Sequence, residues 1–434
     1  MRTKPTVYLD HAAATPLDPR VAEAMVPYLR AEYGNPSALY ALGRAAREAV
    51  DNARETVARI LNCRAAEIVF TGSGTESDNL AVFGVAKNYA HNSPHPSLTS
   101  DALKGRSPTE ASDLGEGADT NTPLRVRGGR GVTKGHLITT AIEHHAVLNP
   151  CRALEKEDYA VTYLKVEHDG LITPEQLRAA IRPDTVLISI MYANNEIGTI
   201  EPIAALTRAV RAWKKEHGRK ENDPPFFHTD ACQAAGYLDM DVGRLGVDLL
   251  TLNASKIYGP KGVGALYVRR GIKLQPCIYG GGQEFGLRSG TENVAAIVGM
   301  GKALELVVRL RDQEIKRLSG LRDRLIAGIL ARVEGAELNG HPTQRLPNNV
   351  NISISGIEGE AMLFYLDEHG ISAATGSACE SAGPDPSHVV QALGKSRDAA
   401  RSSIRFTLGR GTMKDDVEYV LEVLPGIVQK LRHK

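Results

Sequence analysis

Short runs of β-branched and aliphatic residues recur along the first two thirds of the chain, separated by segments whose apolar residues return every three to four positions. The runs at 67–71, 136–142, 161–166, 185–191, 226–229, 249–252 and 264–268 predict strands. Segments 76–89, 174–181 and 203–216 carry the period of helices. Strands alternating with helices predict the α/β class, with a mostly parallel seven-stranded sheet covered on both faces. In such a sheet, ligands bind beyond the carboxyl ends of the strands.

After Gly280 the texture changes to a glycine-rich stretch, GGGQEFGLRSGTEN, and then to a long helical pattern from about 293 to 333. Beyond it, strands at 349–355 and 403–408 and helices at 359–369, 387–393 and 414–431 predict a smaller α+β unit. The expected division is a large domain over 17–276 and a small domain made of 1–16 and 277–434. Residues 91–134 fit neither, because they hold no aromatic residue and are rich in Ser, Thr, Pro, Gly and Asp. Such a stretch cannot bury enough apolar surface to offset its ordering entropy, so it is expected to be a disordered insertion. A second polar insert, 216–225, precedes the strand 226–229. Both inserts enter at the edge of the sheet opposite the strands' carboxyl ends, away from the chemistry.

Composition narrows the class further. A chain of 434 residues, 42% hydrophobic, can bury a large core. Its formal charge of +1 gives no electrostatic reason for a nucleic acid or a membrane as partner. Cys63, Cys151, Cys232, Cys277 and Cys379 are odd in number, scattered and free of CxxC pairs, as expected of reduced thiols in the cytoplasm. No apolar run has the length of a membrane span, and the first ten residues do not resemble a signal peptide.

Four polar groups fall just after predicted strands. The first is TGSGTESDN, Thr71 to Asn79, whose small residues, Gly74 and Thr75 among them, lead into a helix N-terminus suited to a phosphate. Its spacing matches neither a P-loop nor a dinucleotide fingerprint. The second is HTDACQ, in which Asp230 is placed to keep a pyridine nitrogen protonated and Gln233 to donate to a ring oxygen. The same Asp230 also reads as an ordinary helix cap. Two ligands, His228 and Cys232, with no convincing third make zinc a poor fit. The third is NASKIYGPKG, with Asn253 and Ser255 beside Lys256. A lysine ending an apolar strand is partly desolvated, which lowers its pKa and frees the amine for a Schiff base. Taken singly, a lysine before such a turn is more often a solvated surface charge. The fourth joins AIEHH to YANNEIG, offering His144 to stack on a ring and Asn195 to hydrogen-bond it.

Taken with YLDHAAATPL, EYGNPSA, RSGTEN, TGSACESA and IRFTLGR, these blocks make the sequence resemble the NifS/IscS-type cysteine desulfurases of the class V aminotransferases. The resemblance spans nearly the whole chain except the two inserts. It implies the type I fold of pyridoxal 5′-phosphate enzymes, with Lys256 as Schiff-base lysine, Asp230 on the pyridinium and His144 over the ring. It also implies Asn195 and Gln233 at the ring oxygen, and Gly74, Thr75, Asn253 and Ser255 around the cofactor. Thr291 would reach the phosphate of a second subunit, which implies a homodimer. Arg405, with Asn35 assisting, would hold the carboxylate of L-cysteine. Two positions depart from the family pattern: Ser255 stands where a histidine is usual, and Tyr40 replaces the histidine that follows the GNPS block.

The residue that selects among reactions open to this cofactor is Cys379, set in small, turn-prone neighbours that expose a thiol to act as nucleophile. The resemblance implies that it takes the sulfur as a persulfide, leaves L-alanine, and passes the sulfur to an acceptor or iron–sulfur scaffold protein. The other four cysteines are expected to pack. The rival within the family is a selenocysteine lyase. An epimerase or lyase of the same fold and a cofactor-free scaffold are more distant alternatives.

Overall fold

The computed structural model describes residues 6–89, 133–376 and 386–433. Cys379 and all but the last two residues of the expected insertion 91–134 lie outside them.

The chain enters through a short strand, β1 (Val7–Tyr8), and two helices, α1 (Pro19–Arg30) and α2 (Ala41–Leu61). Asp18 starts α1 by accepting the Arg20 N–H at 3.0 Å, with Pro19 preorganised in the first turn. Along α2, Ala46, Val50, Ala53, Val57 and Leu61 recur at helical spacing and are buried together.

All seven expected strands form and join one sheet: β2 (Ile68–Thr71), β3 (His136–Thr140), β4 (Ala160–Leu164), β5 (Thr185–Ser189), β6 (Phe226–Asp230), β7 (Leu249–Asn253) and β8 (Gly264–Val268). Their order is β2-β8-β7-β6-β5-β3-β4, and only β8 runs against the rest. The connecting helices are α3 (Gly74–Tyr89), α4 (His145–Glu155), α5 (Pro174–Ala180), α6 (Ile203–Glu216) and α7 (Val242–Leu245). Alternation along the strands sorts their side chains between two cores. Phe70, Ile138, Ile188, Phe227 and Leu250 join Val50 and Val57 on one face. Val69, Leu137, Leu187, Phe226 and Leu249 join Leu80, Val85, Val147 and Leu154 on the other. Truncating Phe226 or Phe227 to alanine would cost about 3–5 kcal/mol in so closed a sheet. The insert 216–225 meets the sheet at the amino end of β6, where Arg269 holds Asn222 at 2.7 Å.

Helix α8 (Val294–Arg332) then runs 39 residues, about 58 Å, between two cores. Met300 and Leu304 pack against the large sheet's core, whereas Leu318, Leu325 and Ile329 belong to another. That second core lies among β9 (Ala336–Leu338), β10 (Asn349–Ile354), α9 (Gly359–Glu368), β11 (Ile371–Ser372), β12 (Ser403–Thr407) and α12 (Lys414–Arg432), whereas α10 (His388–Ala392) and α11 (Arg397–Arg401) place Val389, Val390 and Ala400 in a smaller cluster with Ile142, Met191 and Ile197. β9, β10 and β12 form an antiparallel sheet, and β1 pairs in parallel with β11, bringing Val7 and Leu9 into the second core. The strands β1, β9 and β11 are too short to carry a period and were not expected.

Candidate active site

Beyond the carboxyl ends of β2, β3, β5, β6 and β7 the chain encloses a cavity of about 210 Å³. Its wall next to β2 is the start of α3. Gly74 and Thr75 open that helix and line the cavity, so the unpaired N–H groups and positive dipole end of a long helix face it. The turn before them is held by Glu76, which accepts the Gly72 N–H at 2.9 Å and pairs with Arg288 at 2.9 Å. A side chain at Gly74 would put its Cβ 2.7 Å from Cys232 Sγ and 3.2 Å from Asn253 Cβ. Only glycine fits this close approach.

Asp230 ends β6, is almost fully buried, and accepts the Cys232 N–H at 2.9 Å. Gln233, one turn on, donates to the Ala12 carbonyl at 3.0 Å. Lys256 follows β7 in a single 3-10 turn and is half-buried. Its Nζ donates to the carbonyls of Ala12 at 2.7 Å and Ala13 at 2.6 Å. The amine is therefore held in the cavity by neutral dipoles of the N-terminal segment.

His144 caps α4, its Nδ1 accepting the Ala146 N–H at 3.1 Å. That bond puts the proton of the neutral ring on Nε2. Asn195 lines the cavity from the loop after β5. Its carbonyl accepts from Arg405 Nη1 at 3.1 Å, while Nη2 of the same guanidinium pairs with Asp10 at 2.8 Å. Arg405 is among the largest fully buried side chains, and also lines the cavity.

Lys256, His144, Gly74, Thr75, Asn195, Asp230, Gln233, Asn253 and Arg405 thus meet in one place. Ser255 does not line the cavity; its hydroxyl donates to Asn253 Oδ1 at 3.1 Å, which fixes the amide that does. Asn35 is exposed and closes its own turn, accepting the Ser37 N–H at 2.9 Å. Thr291 is exposed and also outside the cavity of its own chain.

Four groups at the cavity were not expected from the sequence. The carbonyls of Ala12 and Ala13 leave no trace in a side-chain pattern. Asp10 pairs with Arg405 across nearly the full length of the chain. Asp78 was detectable, since it stands four residues after Gly74 on the same helical face. Burial, and then the charge of Asp230, push its carboxyl well above the usual range. Cys232, expected only to pack, also lines the cavity, but burial pushes its thiol up and it is no thiolate. Cys277, also expected to pack, is exposed. Behind this wall burial pushes Glu143 up to about 8 and His228 down to about 4. The backing of the cavity is therefore largely uncharged.

A lysine, a buried aspartate, a ring-capable histidine and a helix N-terminus with no room for a Cβ suit a phosphorylated pyridine aldehyde. The family model for class-V aminotransferases matches residues 7–95 and 126–420. The chain belongs to the class-V aminotransferases. Among curated members of this family, cysteine desulfurase IscS of Dictyoglomus turgidum is 46% identical over 430 residues, covering 99% of this chain and 96% of the relative. Cysteine desulfurase IscS of Methanosarcina thermophila is 45% identical, covering 98% and 93%. Among solved structures, a NifS-like protein superposes with a TM-score of 0.82 at 32% identity, over 98% of this class-V chain and 100% of the other. A structure described as SspA in complex with cysteine gives a TM-score of 0.71 at 33% identity, covering 94% and 99%.

Proposed function

We propose that this class-V aminotransferase is a pyridoxal-5′-phosphate-dependent cysteine desulfurase, converting L-cysteine to L-alanine and carrying the sulfur as a persulfide on Cys379. The observation that carries this reading is the convergence of Lys256, Asp230 and His144 on the α3 N-terminus, in a chain whose full-length relatives are named cysteine desulfurases. Those names favour cysteine over the selenocysteine alternative.

In this reading the backbone at Gly74 and Thr75 holds the phosphate, and Asp230 holds a proton on the pyridine nitrogen. Asn195 and Gln233 would hold the bound ring, with Asn253 and Ser255 supporting that wall and His144 bringing its imidazole to it. Lys256 would hold the cofactor, and its amine would move the proton at the substrate α-carbon. The bound cofactor supplies an electron sink that makes this carbon acidic. Arg405 receives the substrate carboxylate in its planar fork, already oriented by Asp10 and the Asn195 carbonyl. The thiolate of Cys379 attacks the substrate sulfur, and the carbon–sulfur bond breaks with its electron pair left on carbon, which takes up a proton. The sum is cysteine plus thiol giving alanine plus persulfide, with no outside oxidant.

The reading includes a homodimer, in which Thr291 reaches the second subunit's phosphate and Asn35 belongs to the substrate wall. Leu29, Tyr33, Leu39, Tyr40, Tyr279 and Phe285 are exposed large apolar side chains of the kind a second subunit would bury. The persulfide then passes to an acceptor or iron–sulfur scaffold protein. A cytoplasmic setting accords with Cys63, Cys151, Cys232 and Cys277 being free thiols.

The test is reconstitution with pyridoxal phosphate followed by L-cysteine. Visible absorbance that is lost in Lys256→Ala, together with formation of alanine, is expected. A colourless reconstituted protein, or a coloured one that yields no alanine, refutes the assignment.

A further inference from the structure

The segment that carries Cys379 begins after Gly376 and ends before Ser387, and both of these residues come to the same carboxylate oxygen. Ser387 Oγ donates to Glu196 Oε2 at 2.5 Å. A Cβ on Gly376 would lie 3.1 Å from that oxygen and 3.5 Å from Ser387 Cβ. Gly376 also has φ +75°, so another residue there would be strained, and its Cβ would crowd that oxygen.

Glu196 is well placed to serve as an anchor. It is 1% exposed and directly follows Asn195 of the cavity wall. Its N–H donates to Asn194 Oδ1 at 2.8 Å, and its carbonyl accepts from Asn349 and Asn351 of β10 at 3.0 and 3.1 Å. The backbone that carries the carboxylate is thus fixed to the loop after β5 and to the small sheet at once. Charge-assisted bonds of this kind are short, and are strong away from water.

Two further contacts repeat the arrangement. His388 Nε2 stands 3.0 Å from the carbonyl of Glu143, the neighbour of His144. Upstream, Ala374 and Arg405 exchange backbone hydrogen bonds of 2.6 and 3.1 Å. Each stem of the cysteine segment is therefore tied to a residue of the cavity or to its immediate neighbour.

Building on the desulfurase reading, we propose that Glu196 is a positioning residue that gathers both ends of the cysteine segment at the cavity wall and so sets where the Cys379 thiol can go. Cys379 is three residues from Gly376, and three residues of chain span at most about 11 Å.

The experiment uses the cofactor-loaded protein and Ser387→Ala, Glu196→Gln and Ser387→Thr. Ser387 Oγ also caps α10 through Val390 N, a bond that Glu196→Gln leaves in place. First-turnover persulfide on Cys379 is expected to slow at least tenfold in Ser387→Ala and fivefold in Glu196→Gln. Cofactor absorbance and KM for L-cysteine should stay within twofold, and Ser387→Thr, which keeps the hydroxyl, should restore the rate. Persulfide formation at the wild-type rate in both Ser387→Ala and Glu196→Gln overturns the proposal, as does a defect in Ser387→Ala alone, which assigns the hydroxyl to the cap. If wild type forms neither alanine nor persulfide, the desulfurase reading fails, and the anchor is judged from iodoacetamide alkylation of Cys379. A fivefold or larger change in that rate in Glu196→Gln supports it, and equal rates overturn it.

Discussion

Asp10 Oδ1 stands 2.8 Å from Arg405 Nη2, joining the N-terminal segment to β12 beside the cavity. With Nη1 on the Asn195 carbonyl, the guanidinium plane is fixed before any carboxylate arrives. Lysine has one nitrogen for these tasks and no fork. Arg405→Lys is therefore expected to raise KM for L-cysteine by roughly 10–100-fold, the loss of one charge-assisted hydrogen bond of about 1.5–3 kcal/mol. Cofactor absorbance should be unchanged. Steady-state kinetics with an unaltered KM would remove Arg405 from the substrate site.

The contact between Gly74 and Cys232 gives a second prediction. Gly74→Ala drives a methyl against a sulfur 2.7 Å away, and overpacking of this kind costs about 1–3 kcal/mol. Cofactor affinity, measured by absorbance titration, should fall about tenfold or more. Because the nearest obstacle is a side chain, adding Cys232→Ala should recover most of the loss. A double variant as weak as the single one would show that the helix N-terminus itself was displaced.

Asp230 is asked to keep a proton on a ring nitrogen in a buried wall. Asp230→Asn preserves size and removes the charge. Turnover is expected to drop on the order of 100-fold, the scale of losing one preorganised electrostatic partner. Retained activity within threefold would place the ring elsewhere.

Glu143 predicts a pH dependence. Its ordinary value is 4.5, and burial pushes it up to about 8 in the fold. Between these values the folded chain keeps a proton that the unfolded chain has released, so stability is fullest below pH 4.5 and declines as pH rises toward 8. Glu143→Gln keeps an acceptor for Thr140 and Met191 but cannot ionise. Urea denaturation at pH 5 and pH 8 should show a smaller decline in the variant. Equal declines would mean that Glu143 is charged in the fold.

Much of this arrangement was legible in the sequence, for reasons that also mark its limit. The seven strands of the main sheet stand out because each is a short apolar run bounded by turn residues. Lys256, Asp230, His144 and Asn195 were found because each lies at or just beyond the end of such a run, and a parallel sheet brings its strand ends together. The Asp10–Arg405 pair and the carbonyls that hold Lys256 had no signal, since one joins the two ends of the chain and the other uses backbone atoms. Asn35, Thr291 and Ser255 came from family likeness and stand outside the cavity of their own chain. That is the expected result for Thr291 if a second subunit completes the site, whereas Asn35 was expected beside Arg405 and is not there.

In the proposed reaction, sulfur leaves L-cysteine through Cys379. Mass spectrometry of the cofactor-loaded protein after a single exposure to L-cysteine tests this step. Alanine in solution and a sulfur atom added to the peptide containing Cys379 are expected, both absent in Cys379→Ala. Alanine produced at an undiminished rate by Cys379→Ala, or a wild-type Cys379 peptide without added sulfur, would refute the role of this thiol.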